Sequence, residues 1–159
     1  MVNNPLKVFK SVELEVWTVV LGEYLYSIDK KGRMFIPAKH REPLGEKIIV
    51  CRGLDKNPCL HIYSLDEWQI LDEKIRSLPS SKSRMLQMYL YSGAAELEYD
   101  SQGRVLIPAN LREHAKLEGN VKIVGVSTHA EVWNPDTWDK ATAECTPEAV
   151  FDIMQELNF

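Results

Sequence analysis

Arg33 and Arg104 each stand directly after a glycine and four residues after an aspartate. Residues 29–42 run DKKGRMFIPAKHRE and residues 100–113 run DSQGRVLIPANLRE, so the frame D-x-x-G-R-x-x-I-P-A-x-x-R-E occurs twice, 71 residues apart. A guanidinium is planar, permanently charged and carries five donors, a chemistry suited to phosphate oxygens and guanine edges. A second arginine, Arg41 or Arg112, follows eight residues after the first. Lys30 and Lys31 fill the first turn, where Ser101 and Gln102 stand in the second. The same spacing also admits a structural role. Asp29 with Arg33, and Asp100 with Arg104, would brace a turn, while Arg41 and Arg112 beside Glu42 and Glu113 would be solvated helix charges. On spacing alone the brace is favoured for the aspartates, and the arginines are evenly divided.

These groups need a turn and two strands to present them. Tyr24, Tyr26 and Ile28 recur at every second position before the first turn, as do Ala95, Leu97 and Tyr99 before the second, the period of a strand. Gly32 and Gly103 supply the permissive backbone of a tight turn, and Asp29 and Asp100 suit its start. Pro37 and Pro108 end the second strand, and a short helix follows. Downstream, Lys47–Val50 resembles Val121–Val124, and Ile62–Trp68 parallels Val132–Trp138. Each half therefore predicts strand, turn, strand, short helix, strand, strand, helix. Ser64-Leu65-Asp66-Glu67 has the form of a capping box opening a helix to about Ser77. Asn134-Pro135-Asp136 opens the equivalent helix. Leu78–Ser83 forms a linker, Met85–Tyr91 a helix between the halves, and Thr146-Pro147-Glu148 starts a last one.

The 159 residues suit one domain or two small fused ones. The apolar stretch Val16–Leu21 falls far short of the roughly 20 residues that span a bilayer, so no membrane partner is expected. Cys51, Cys59 and Cys145 are odd in number and unpaired by any C-x-x-C, consistent with reduced thiols. The spacing of Cys51, Cys59 and His61 fits no standard zinc site and favours packed core positions. His40, His114 and His129 are scattered, and Trp68 and Trp138 match between the halves as core residues. No metal, cofactor or small-molecule substrate is expected, and no nucleophile–base set can be assembled, so the chain is not expected to be an enzyme. The net charge of -4 counts against a nucleic-acid binder, although Lys30, Lys31, Arg33, Lys39 and Arg41 cluster around Asp29 alone. Met85, Leu86, Met88, Tyr89 and Leu90 form an apolar patch divided between core and subunit interface.

The repeated motifs, with Pro58-Cys59-Leu60, Tyr63–Trp68 and Ser92-Gly93-Ala94-Ala95-Glu96, resemble the MraZ family within the AbrB/SpoVT-like swapped-hairpin group. The resemblance runs from about residue 22 to the C-terminus. It implies a mainly β fold with short helices, a double swapped-hairpin β-barrel built from two internal repeats, plus flanking helices. The expected division is an N-terminal extension (1–21), a first repeat (22–69), connecting helices (70–92), a second repeat (93–138) and a helical tail (139–159). The resemblance further implies a sequence-specific regulator of the division and cell-wall gene cluster. Such a protein works as a homo-oligomer, a ring, on repeated promoter elements of double-stranded DNA, in the cytoplasm and at the nucleoid. Carried over by motif, the DNA-contacting residues are Arg33 and Arg104, with Lys30, Lys31, Arg41 and Arg112 as neighbours and Asp29, Gly32, Asp100 and Gly103 shaping the turns. The alternative is an oligomeric interaction or scaffold protein of the same fold without specific DNA binding.

Overall fold

The computed structural model describes residues 19–158; residues 1–18, most of the expected N-terminal extension, lie outside the described residues. In chain order the elements are β1 (Val20–Ile28), β2 (Arg33–Phe35), α1 (Ala38–Leu44), β3 (Lys47–Arg52), β4 (Leu60–Ser64), α2 (Leu65–Arg76) and α3 (Ser80–Leu90). There follow β5 (Ala95–Glu98), β6 (Arg104–Leu106), α4 (Ala109–Ala115), β7 (Gly119–Ser127), β8 (Ala130–Trp133), α5 (Pro135–Thr142), α6 (Pro147–Met154) and a 3-10 turn (Gln155–Leu157).

The eight strands form one sheet in the order β5-β3-β4-β8-β7-β1-β2-β6. Exchanging each strand for its counterpart four places on turns the pairing of β1 with β7 into that of β5 with β3, turns β7 with β8 into β3 with β4, and leaves β2 with β6 and β4 with β8 unchanged, so the repeats are related by a pseudo-two-fold. The hairpins are swapped: β1 pairs with β7 of the second repeat along its whole length, and β5 pairs with β3 of the first. The two self-pairings, β2 with β6 and β4 with β8, are the opposite seams of the barrel.

Period-2 alternation sends one face of each strand inward. Met34 and Val105, partners across the first seam, are both buried. Ile36, Ile48, Val50, Leu60, Ile62, Ile107, Val121, Ile123 and Val132 join them in one core, closed by Leu44 of α1 and Leu111 of α4. Burying a side chain of this size contributes about 1.5–3 kcal/mol, so the shared core is the main force locking the repeats together.

Helix starts follow their caps. Ser64 Oγ accepts the Glu67 amide at 3.2 Å, and Asn134 Oδ1 accepts the amides of Asp136 and Thr137. The helix expected from Met85 begins five residues earlier, at Ser80 directly after Pro79, which shortens the linker. Ser83 is buried and accepts from Gln87 Nε2 at 2.9 Å, so its hydroxyl is satisfied inside a helix rather than in a loop. Trp68 and Trp138 are half-buried over the outer face of the sheet, against Tyr63 and Trp133 respectively, and do not enter the barrel core.

Candidate nucleic-acid interface

Both D-x-x-G-R segments fold into the same turn. Asp29 Oδ1 accepts the amides of Lys31 (3.0 Å) and Arg33 (2.9 Å), and its Oδ2 accepts Arg33 Nε at 2.7 Å. Asp100 repeats the pattern with the amides of Gln102 and Arg104 (both 2.9 Å) and Arg104 Nε at 2.8 Å. The turn closes through Gly32 N to Asp29 O and Gly103 N to Asp100 O, each 3.0 Å. Gly32 and Gly103 have φ of +96° and +82°, where a side chain is strained. The Arg33 amide, reinforced by the Arg33 guanidinium against a smaller desolvation effect, lowers the Asp29 pKa to about 2. Asp100 is lowered for the same reasons through Arg104.

The brace and the exposed role are therefore compatible. Each aspartate takes only the Nε of its arginine. The Nη groups of Arg33 and Arg104 have no hydrogen bond or ion pair among the described residues. The carboxylate orients the guanidinium without consuming its outer donors.

The seam sets where these donors sit. In the β2–β6 register Arg33 faces Leu106 and Phe35 faces Arg104. With Met34 and Val105 pointing inward, the outer face of this two-stranded ribbon carries Arg33, Phe35, Arg104 and Leu106. The two arginines are diagonal neighbours, a relation that places Cα atoms about 7–8 Å apart. Phe35 and Leu106 are 45% and 55% exposed, and Arg104 Cζ lies 5.9 Å from the Phe35 ring centre. The Arg33 side chain is 37% exposed and that of Arg104 22%, and Lys30 and Lys31 are exposed in the first turn. The first hairpin thus offers more positive charge than the second.

Arg41 and Arg112 go elsewhere. Both are half-buried, each behind the turn of the opposite repeat. Arg112 Nε donates to Ile107 O at 3.0 Å, and a Cβ on Gly32 would lie 2.7 Å from that nitrogen. Arg41 covers Gly103, with its Cζ 2.9 Å from where a Cβ would be, but its buried Nε has no hydrogen-bond partner among the described residues. Backbone bonds complete the crossing, Ile107 N to Gly32 O at 2.8 Å and Ile36 N to Gly103 O at 3.3 Å. The last arginine of each motif therefore packs on the first half of the other motif. A single repeat carries no signal for that destination, because the contact forms only after the hairpins exchange.

On the opposite seam, Cys59, His61 and Glu131 bring a thiol, an imidazole and a carboxylate within 4.8 Å of one another. Cys51 belongs to a separate cluster with Tyr63, Ile75 and Leu90. His129, scattered in the sequence, bonds Glu131 at 3.0 Å. No described helix is long and apolar enough to cross a membrane.

A family model described as "MraZ protein, putative antitoxin-like" matches residues 19–88 and again residues 90–157. Curated relatives called Transcriptional regulator MraZ are similar over nearly their whole length. One from Acetivibrio thermocellus is 51% identical over 141 residues, 86% of this chain and 97% of that protein. One from Caldanaerobacter subterraneus is 48% identical over 142 residues, 88% and 97% of the two chains. One from Thermoanaerobacter sp. is 44% identical over 144 residues, 88% and 99%.

Proposed function

The chain belongs to the MraZ family, and from that premise we propose that it is a DNA-binding transcriptional regulator, not an enzyme. The observation that carries the reading is the outer face of the β2–β6 ribbon, where Asp29 and Asp100 orient two arginines whose Nη groups remain available. A two-stranded ribbon fits the major groove of B-DNA, about 12 Å wide. In this reading Arg33 and Arg104 meet guanine edges or phosphates, Lys30 and Lys31 meet phosphates, and Phe35 and Leu106 lie against thymine methyl groups. Arg41 and Arg112 are positioning residues that hold the turns from behind. The first hairpin binds more strongly than the second.

The target is a set of repeated elements in double-stranded DNA, expected upstream of the division and cell-wall genes, in the cytoplasm and at the nucleoid. One ribbon per chain gives modest affinity, so several chains in a ring on successive elements gain through effective concentration. Apolar side chains left open on the surface support the oligomer: Met85 and Met88 on α3, and Phe151 and Ile153 on α6, are each at least 60% exposed. A gel shift of the full chain on its own upstream DNA tests the reading. It should show stepwise retarded complexes that a scrambled duplex does not compete away. Equal binding to the scrambled duplex would favour the scaffold alternative, which the net charge of -4 also suits.

A further inference from the structure

The β4–β8 seam carries a second constellation, with no part in the contact proposed above. Around β4 and β8 the equivalent residues of the two repeats are 70 apart, one fewer than between the turn motifs, so Cys59 matches His129, His61 matches Glu131 and Tyr63 matches Trp133. His61 and Glu131 are register partners across the seam. The intervening Leu60, Ile62, Ala130 and Val132 point into the barrel core, so alternation sets the other residues on its outer face. The pseudo-two-fold thus gathers a thiol, two imidazoles and a carboxylate from two short segments, Cys59-x-His61 and His129-x-Glu131.

Glu131 is the centre. Its Oε2 lies 3.1 Å from His61 Nε2 and 3.0 Å from His129 Nε2, with the two rings 4.3 Å apart. The Cys59 Sγ, His61 and Glu131 donor atoms lie within 4.8 Å of one another. His61 Nε2 is buried and, despite its distance to Glu131, is out of line for a hydrogen bond, so it has none among the described residues. The remote atoms, by contrast, are all fixed. Tyr63 OH bonds His61 Nδ1 at 3.1 Å, Thr128 Oγ1 bonds His129 Nδ1 at 3.1 Å, and Trp133 Nε1 donates to Glu131 Oε1 at 2.9 Å. Outer partners of this kind set tautomer and ring direction in metal ligands and leave the other atom free to coordinate.

We propose that Cys59, His61, Glu131 and His129 form a binding site for one divalent transition-metal ion of the zinc class. A mixed sulfur, nitrogen and oxygen set suits Zn²⁺ and is poor for Mg²⁺ or Ca²⁺, which take oxygen ligands. Ligand bonds of about 2.0–2.3 Å from a shared centre need donors a little over 3 Å apart, close to the spacing of the nitrogen and oxygen atoms here. Binding forms a metal–sulfur bond and releases the Cys59 thiol proton to solvent. The ion would join β4 to β8, and so staple one repeat to the other at the seam opposite the arginines.

The test is a titration of the full chain, first stripped with a chelator, with Co²⁺ and then Zn²⁺. One cobalt per chain, with a thiolate-to-cobalt charge-transfer band and the strong visible absorption of a four-coordinate site, is expected. Zinc should bleach that spectrum and raise Tm. Cys59→Ser should abolish the charge-transfer band, Cys145→Ser should leave it intact, and Tyr63→Phe should weaken metal affinity about 10- to 100-fold. His129→Asn, at a partly exposed position, should weaken binding with the fold intact by circular dichroism, and it carries the test where Cys59→Ser does not fold. No cobalt bound, a weak six-coordinate cobalt spectrum, a band lost with Cys145 instead of Cys59, or affinity unchanged in His129→Asn would overturn the site.

Discussion

At the scale of single residues, the division of labour within one guanidinium decides the account. Asp29 and Asp100 accept backbone amides on one oxygen and an arginine Nε on the other. Arg33→Ala should therefore remove a DNA contact while the turn survives on its amide bonds. The expected loss is about 1–3 kcal/mol in binding to cognate DNA, with a thermal unfolding midpoint close to wild type. Parallel gel shifts and calorimetry check both halves of that statement. The same bonds set a pH dependence. Asp29 is depressed from 3.8 to about 2 in the folded chain, so its contribution is fully present above 3.8 and fades as pH falls towards 2. A carbon-detected titration of the Asp29 carboxyl, with the Lys31 and Arg33 amides followed alongside, should show all three moving together in that window. A carboxyl titrating near 3.8 with static amides would remove the brace.

At the scale of elements, the turns are built by both repeats. Gly32 sits under Arg112 and Gly103 under Arg41, so each glycine is required by its positive φ and by the guanidinium packed on it. Gly32→Ala should destabilise the chain by roughly 1–3 kcal/mol in denaturant unfolding. A change within experimental error would mean that Arg112 moves aside at no cost. The hairpins, short helices and capped α2 and α5 were legible in the sequence, because glycine, proline and capping residues act on the backbone within a few positions. The destinations of Arg41 and Arg112 were not, since they depend on which hairpin lies across the seam. The His61–Glu131 cluster was hidden for the same reason. Its only sequence signal is the 70-residue offset that aligns Cys59-x-His61 with His129-x-Glu131, visible once Trp68 is matched to Trp138. The early start of α3 was missed because three serines after Pro79 resemble a linker, whereas Ser83 is held inside the helix by Gln87.

At the scale of the whole molecule, the barrel separates its two seams. The β2–β6 ribbon faces outward with arginines, and the β4–β8 pair is covered by α2 and α5 and holds the buried polar cluster. A chain of net charge -4 can still meet DNA if its positive groups are gathered on one ribbon and several chains act together. Sedimentation of the purified protein should show an assembly of several chains. Replacing Met85 and Met88 with glutamate should shift it to smaller species, and an unchanged assembly would place the interface elsewhere than α3. A monomer at concentrations where DNA is bound would contradict the ring.

The measurement closest to the central claim is the salt dependence of cognate DNA binding for the wild-type chain and for Arg33→Ala/Arg104→Ala. The wild type should weaken steeply with salt, and the variant should bind less tightly with a slope shallower by about one for each phosphate contact removed. Superimposable affinities and slopes would show that the ribbon arginines do not face the duplex.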